Sequence, residues 1–211
     1  MKIRNKIIAL MISLIAIPNF AIAKDGPYIG AKYAKIDVDY KTVDGIDLNK
    51  LFAGKFNAYD LHLGYGVGNG FFEVGYIKSS DESKNLGSTT VTTSAGAATI
   101  SANTGMKFDG YRIGAGYNFP VNNQFTIKPF INYYGIDMTA SGTLTVAEGG
   151  STIVSIGTTA SGSDSMTDIG LGFDYIVNDK TKIGFSYAQT IDSITDTKKV
   201  QTLALSASYQ F

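Results

Sequence analysis

A period of two constrains this 211-residue chain more than any other feature. In segments of about ten residues every second side chain is apolar or aromatic, and turn-forming residues separate the segments, as in β-strands with two unlike faces. The clearest runs Tyr111-Arg112-Ile113-Gly114-Ala115-Gly116-Tyr117-Asn118-Phe119, with rings and aliphatic groups on one side and Arg112, Asn118 and glycines on the other. The split recurs at Tyr59-Leu61-Leu63-Tyr65, Phe72-Val74-Tyr76, Phe125-Ile127-Ile131-Tyr133, Ile169 to Val177, Ile183-Phe185-Tyr187 and Leu203 to Phe211. A less regular first strand surrounds Ile29, Ala31 and Tyr33, which brings the count to eight. An even number lets an antiparallel sheet close on itself.

The polar face decides what the apolar face should meet. It collects Lys32, Asp60, His62, Glu73, Arg112, Lys128, Asp168, Asp174 and Lys182 between glycines, whereas the apolar face of these segments carries no charge. Hydrocarbon demands that absence, since a cation facing mid-bilayer costs roughly 2 to 4 kcal/mol. A soluble barrel of the lipocalin or streptavidin kind would turn the same rings inward and leave a glycine-rich surface outside.

Connection lengths also alternate. Short turns fall at Val67–Gly70, Pro120–Asn123 and Asn178–Lys180, and longer stretches at Lys41–Gly54, Ser79–Gly105, Thr139–Ser165 and Asp192–Thr197. The expected fold is therefore all-β: an eight-stranded antiparallel up-and-down transmembrane β-barrel with short periplasmic turns and long extracellular loops. Within the third long stretch, Thr143–Val146 and Ser151–Ile156 flank Ala147-Glu148-Gly149-Gly150 and predict a hairpin beyond the membrane.

The first residues predict export. Lys2, Arg4 and Lys6 precede the apolar run Ile7–Ile17, then Pro18 and the small-residue site Ala21-Ile22-Ala23. The run is shorter than the ~20 residues of a spanning helix. Residues 1–23 are thus expected to be a signal peptide cleaved after Ala23, with residues 24–211 as one barrel domain. That mature chain has 15 basic against 18 acidic residues, a formal charge of −3, which argues against nucleic acid as a partner. Without cysteine, neither disulfides nor thiolate chemistry contributes.

Leu203, Leu205, Ala207, Tyr209 and Phe211 form an alternating segment ending on an aromatic residue. It resembles the terminal signal that the barrel assembly machinery of Gram-negative bacteria recognises. With Tyr28-Ile29-Gly30-Ala31-Lys32-Tyr33 and Ile113 to Phe119, the chain resembles the OmpA/OmpX-type and opacity-type small outer-membrane β-barrels over nearly all of residues 24–211. The resemblance implies location in the outer membrane, contact with its lipid and lipopolysaccharide, and a stand-alone barrel.

The enclosed face offers four acids and four cations, and Arg112, the only arginine after the leader, has the planar fork that pairs with carboxylates. Two readings follow: a structural network that plugs the interior, or a gated ion path in which Arg112 exchanges partners. His62 shares its face with Asp60, a spacing that permits a base with an orienting carboxylate, but a packed lumen histidine explains it as well. With one histidine and no cysteine, neither a metal site nor a cofactor is expected. Gly64 to Gly70 has glycine spacing reminiscent of a nucleotide loop but lacks the following helix. Enzymatic activity is not expected. The expected role is a surface protein that anchors exposed loops for adhesion or another surface interaction and contributes to envelope integrity; the alternative is a narrow porin-like channel.

Overall fold

Alternating residues become eight long strands: β1 Gly26–Tyr40, β2 Lys55–Val67, β3 Gly70–Ser79, β4 Gly96–Tyr117, β5 Phe125–Glu148, β6 Ser151–Ile176, β7 Thr181–Thr190 and β8 Thr197–Gln210. This computed structural model describes residues 25–93, 96–192 and 194–211. The leader expected over residues 1–23 and its cleavage point lie outside the described residues.

Each strand pairs antiparallel with its sequence neighbours, and β8 returns to β1 with Tyr28 opposite Gln210 and Val38 opposite Val200. The sheet is thereby a closed ring with no edge at the level of the bilayer.

The two faces are inverted relative to a soluble protein. Leu61 is 66% exposed and Phe72 64%, whereas Arg112 is 2% exposed. That inversion excludes the lipocalin-like arrangement, in which the rings would converge inside. Outward positions from Tyr111 to Phe119 are uncharged. Nine residues at ~3.3 Å each, tilted ~40°, span about 23 Å, close to the ~25 Å apolar band of such barrels.

Not every ring points outward. Tyr28, Tyr40, Phe56, Phe71, Phe108, Phe130 and Tyr134 occupy inward positions. Several cover inward glycines of neighbouring strands: the Tyr28 ring lies over Gly64 and Phe71 over Gly116, where a Cβ would have no room. The outward aromatics that follow these glycines in sequence are not the rings that cover them.

The long connections are more ordered than their Ser/Thr/Gly composition suggests. Residues Glu82–Thr93 pair with the start of β4, that part of β4 pairs with the end of β5, and the end of β5 pairs with the start of β6. A four-stranded sheet therefore rises above the barrel from the long-connection rim. Its Thr, Val and Ile residues favour extended backbone, and pairing supplies the rest. The predicted hairpin is present, turning at Gly149 and Gly150, both at positive φ. The β1–β2 connection holds a small ribbon, Thr42–Val43 with Ile46–Asp47, turning at Asp44 and Gly45 at positive φ. It continues into a helical turn, Leu48–Leu51, capped by the Asp47 side chain, which accepts the Asn49 N–H at 3.1 Å.

Candidate functional site

Three zones follow one another through the lumen from the long-connection rim: an apolar zone, a charged layer and a smaller mixed zone near the short turns. Parity in each strand sets the order. Along β2 the inward residues run Phe56, Ala58, Asp60, His62; along β4, Phe108, Gly110, Arg112; along β5, Ile136, Tyr134, Asn132, Phe130, Lys128.

The charged layer is organised around Arg112. Its Nε donates to Asp60 Oδ2 at 2.7 Å and its Nη2 to Asp60 Oδ1 at 3.2 Å, the two-pronged geometry a guanidinium favours. Its Nη1 donates to Glu73 Oε2 at 2.8 Å and to Asn132 Oδ1 at 3.0 Å. Lys32 Nζ donates to the same Glu73 oxygen at 2.9 Å, and Tyr28 Oη donates to Glu73 Oε1 at 3.0 Å. His62 Nδ1 lies 2.7 Å from Asp60 Oδ1, and Nε2 lies 3.9 Å from Glu73 Oε1, so the ring is held between two carboxylates.

The equal count of acids and cations does not translate into one-to-one pairing. Glu73 takes two cations. Asp168, 2% exposed, accepts from Asn132 Nδ2 at 2.9 Å and forms no direct ion pair among the described residues. Nearer the short turns Lys128 Nζ reaches Asp174 Oδ2 at 3.2 Å and stands 5.2 Å from the Phe71 ring centroid. Lys182 lines the same mouth beside Asp174 without a direct ion pair among the described residues.

Sequence reasoning singled out the charged members but missed Tyr28, Asn132 and Tyr134, whose inward parity was the available signal. No buried side-chain nitrogen or oxygen among the described residues lacks a hydrogen-bond partner. The free space bordered by Lys32, Glu73, Lys128 and Asp174 is about 30 Å³, room for roughly one water molecule.

Outside the ring, Leu203, Leu205, Ala207, Tyr209 and Phe211 lie on the outward side of the last strand, with Phe211 67% exposed. Lys35, Lys55, Lys78 and Lys107 also face outward, above the apolar band on the long-connection side of β1 to β4, Lys107 where β4 passes the rim.

In the sheet above the rim, residues 151–163 are exposed on both faces. One edge of this stretch pairs with β5, while β7 joins β6 only from Asp168 onward. Among the described residues no strand pairs with its second edge. Ser151 to Ser163 contains neither charge nor proline, the usual guards of an open edge.

A closed ring of eight strands with apolar residues outward and charges enclosed defines a small transmembrane β-barrel. The chain matches the family described as outer membrane protein beta-barrel domain over residues 7–211, and it belongs to that family. It is thus a small outer-membrane β-barrel protein, as the resemblance in its sequence implied.

Among solved structures, Neisserial surface protein A is similar at 17% identity, with 88% of this chain and 97% of that one covered and a TM-score of 0.51. Ail of Yersinia pestis aligns at 20% identity over 89% of this chain and 100% of its own, with a TM-score of 0.43. OprG of Pseudomonas aeruginosa aligns at 13% identity over 89% and 97%, with a TM-score of 0.45. The likeness to the Neisserial protein is one of fold. No curated protein sequence matches the chain.

Proposed function

We propose that this protein is a surface-interaction protein of the outer membrane: the plugged barrel is an anchor, and the sheet above its rim engages partners outside the cell. The observation that carries this reading is the open edge of residues 151–163, uncharged, exposed on both faces and, among the described residues, unpaired along one side. Such an edge presents a row of backbone donors and acceptors to which an extended segment of another polypeptide can add as a further strand. Exposed Ile153 and Ile156 supply side-chain contacts at the same place.

The charged layer supports an anchor rather than a conduit. Arg112 is enclosed by two carboxylates and an amide, and what space remains there is about the size of a water molecule. The outward lysines near the rim stand where lipopolysaccharide phosphates would meet them, and the alternating last strand fits recognition by the barrel assembly machinery. A stapled, fully bonded interior of this kind contributes to envelope integrity.

The test replaces Thr143–Gly157 by a tight turn and, separately, introduces Ile153→Lys with Ile156→Lys to block the edge. Both variants should insert and keep heat-modifiable gel mobility while binding of cells to host or environmental surfaces falls at least several-fold. Binding undiminished in both would overturn the role of the sheet.

A further inference from the structure

The zone above the charged layer is not packed solid. A cavity of about 200 Å³ lies inside the ring, walled by Ile36, Phe56, Phe108, Met106, Met138 and Met166. Leu48 and Phe52 from the β1–β2 connection border it, as do Ile194 to Thr197 between β7 and β8. Beneath it Ala34, Ala58 and Tyr134 close the space before the Arg112 layer begins. It is a dead end, not a passage.

Asp196 is the charged residue at its border and is exposed at the outer mouth, whereas the hydroxyls of Tyr40 and Thr197 are already engaged. Tyr40 Oη donates to the Ala53 carbonyl at 3.0 Å, and Thr197 Oγ1 donates to the Ile194 carbonyl at 3.0 Å. A ligand here would find almost no hydrogen-bonding partner and no enclosed opposite charge, so charged and strongly polar molecules are excluded by desolvation. Apolar voids of about 150 Å³ stay dry and take up benzene. The present one is larger, and three thioethers give it a wall that adapts to different shapes.

The surround of the cavity indicates where a ligand comes from. Register between β1 and β2 is unbroken from Gly26 to Asp37, and between β1 and β8 from Tyr28 to Val38, so this part of the wall offers no opening to the bilayer. The Leu48–Phe52 segment, by contrast, is held over the cavity by polar contacts: Lys84 Nζ donates to the Asn49 and Phe52 carbonyls, and Thr104 Oγ1 to that of Leu51. Asn49 Nδ2 adds a bond to the Tyr40 carbonyl at 3.0 Å. Water replaces such contacts at low cost, so this segment is the part able to lift.

We propose that the cavity is a binding site for one small uncharged hydrocarbon-like molecule, an aromatic ring or short aliphatic, admitted from the outer face when the Leu48–Phe52 segment lifts. The inference is independent of the open sheet edge and goes beyond a role in adhesion.

The experiment uses the protein refolded in lipid nanodiscs, with methyl-¹³C methionine and leucine, and toluene as the probe. Met106, Met138 and Met166 should shift saturably and show nuclear Overhauser contacts to the toluene ring. Lipid-facing Leu61 should shift only in proportion to toluene dissolved in the bilayer. Val38→Trp on β1 and Ile136→Trp on β5, each filling the cavity from a different wall, should abolish the saturable component. Absence of ring-to-methionine contacts in the wild type overturns the proposal on its own, whether or not either variant folds. Equal saturation in a folded filled variant overturns it as well.

Discussion

Arg112 shows how far a single residue could be read in advance. Its enclosed position followed from parity, and its fork pointed to carboxylates. Its partners could not be read, because Asp60, Glu73 and Asn132 come from three other strands and meet it through register across the ring. Parity could have placed Tyr28 and Asn132 inside, but their partners were illegible for the same reason: their neighbours in sequence say nothing about what stands opposite. Removing Arg112 would leave two carboxylates enclosed without their shared cation, a loss of about 3 to 5 kcal/mol by comparison with broken buried pairs. Arg112→Ala should therefore unfold at a clearly lower temperature, measured by the heat-dependent gel shift or by circular dichroism. Unchanged melting accompanied by raised conductance would instead make the residue a gate.

At the scale of elements, membrane strands were legible and extramembrane strands only in part. Alternation of apolar and polar residues exists where one face meets lipid; above the rim both faces meet water, and Ser, Thr and Gly serve either side equally. Residues 82–106 therefore lacked the pattern although, apart from a bulge at Leu86, they are paired in the described part. Asp44-Gly45 was a readable turn signal that marks the ribbon in the β1–β2 connection.

Asp164, at the foot of the outer hairpin, ties β6 to the β7–β8 connection: its carboxylate accepts the Ser165 N–H at 2.7 Å and the Thr195 N–H at 2.8 Å. Partial burial alone would raise its pKa, but these N–H groups outweigh burial and hold it below the ordinary carboxylate value. The tie is thus fully present above that ordinary value and is lost as pH falls through the depressed one. Amide exchange at Thr195, taken relative to its intrinsic rate at each pH, should accelerate on acidification below the carboxylate range. In Asp164→Asn it should be faster at neutral pH and insensitive to that step; wild-type protection unchanged by acid would refute the assignment.

For the whole molecule, the middle of the interior is polar where a soluble barrel is greasy, and that layer is filled although a cavity lies above it. A charged layer with its side-chain polar atoms satisfied among the described residues and about 30 Å³ free beside Lys32 and Glu73 favours the anchor reading over a conduit. Planar-bilayer recordings of the refolded protein should show no discrete conductance steps. Regular stepwise currents from pure protein would restore the channel reading.

The meeting of Tyr28 with Gln210 sets a condition on biogenesis. Until residues 197–210 dock beside residues 28–40, two strands carry a full row of unsatisfied amides and carbonyls, which acyl chains cannot solvate. A half-built sheet is therefore forbidden in the bilayer, and insertion must be concerted with sealing of the seam. The eighth strand, by closing on the first, is the one that makes the other seven tolerable to lipid.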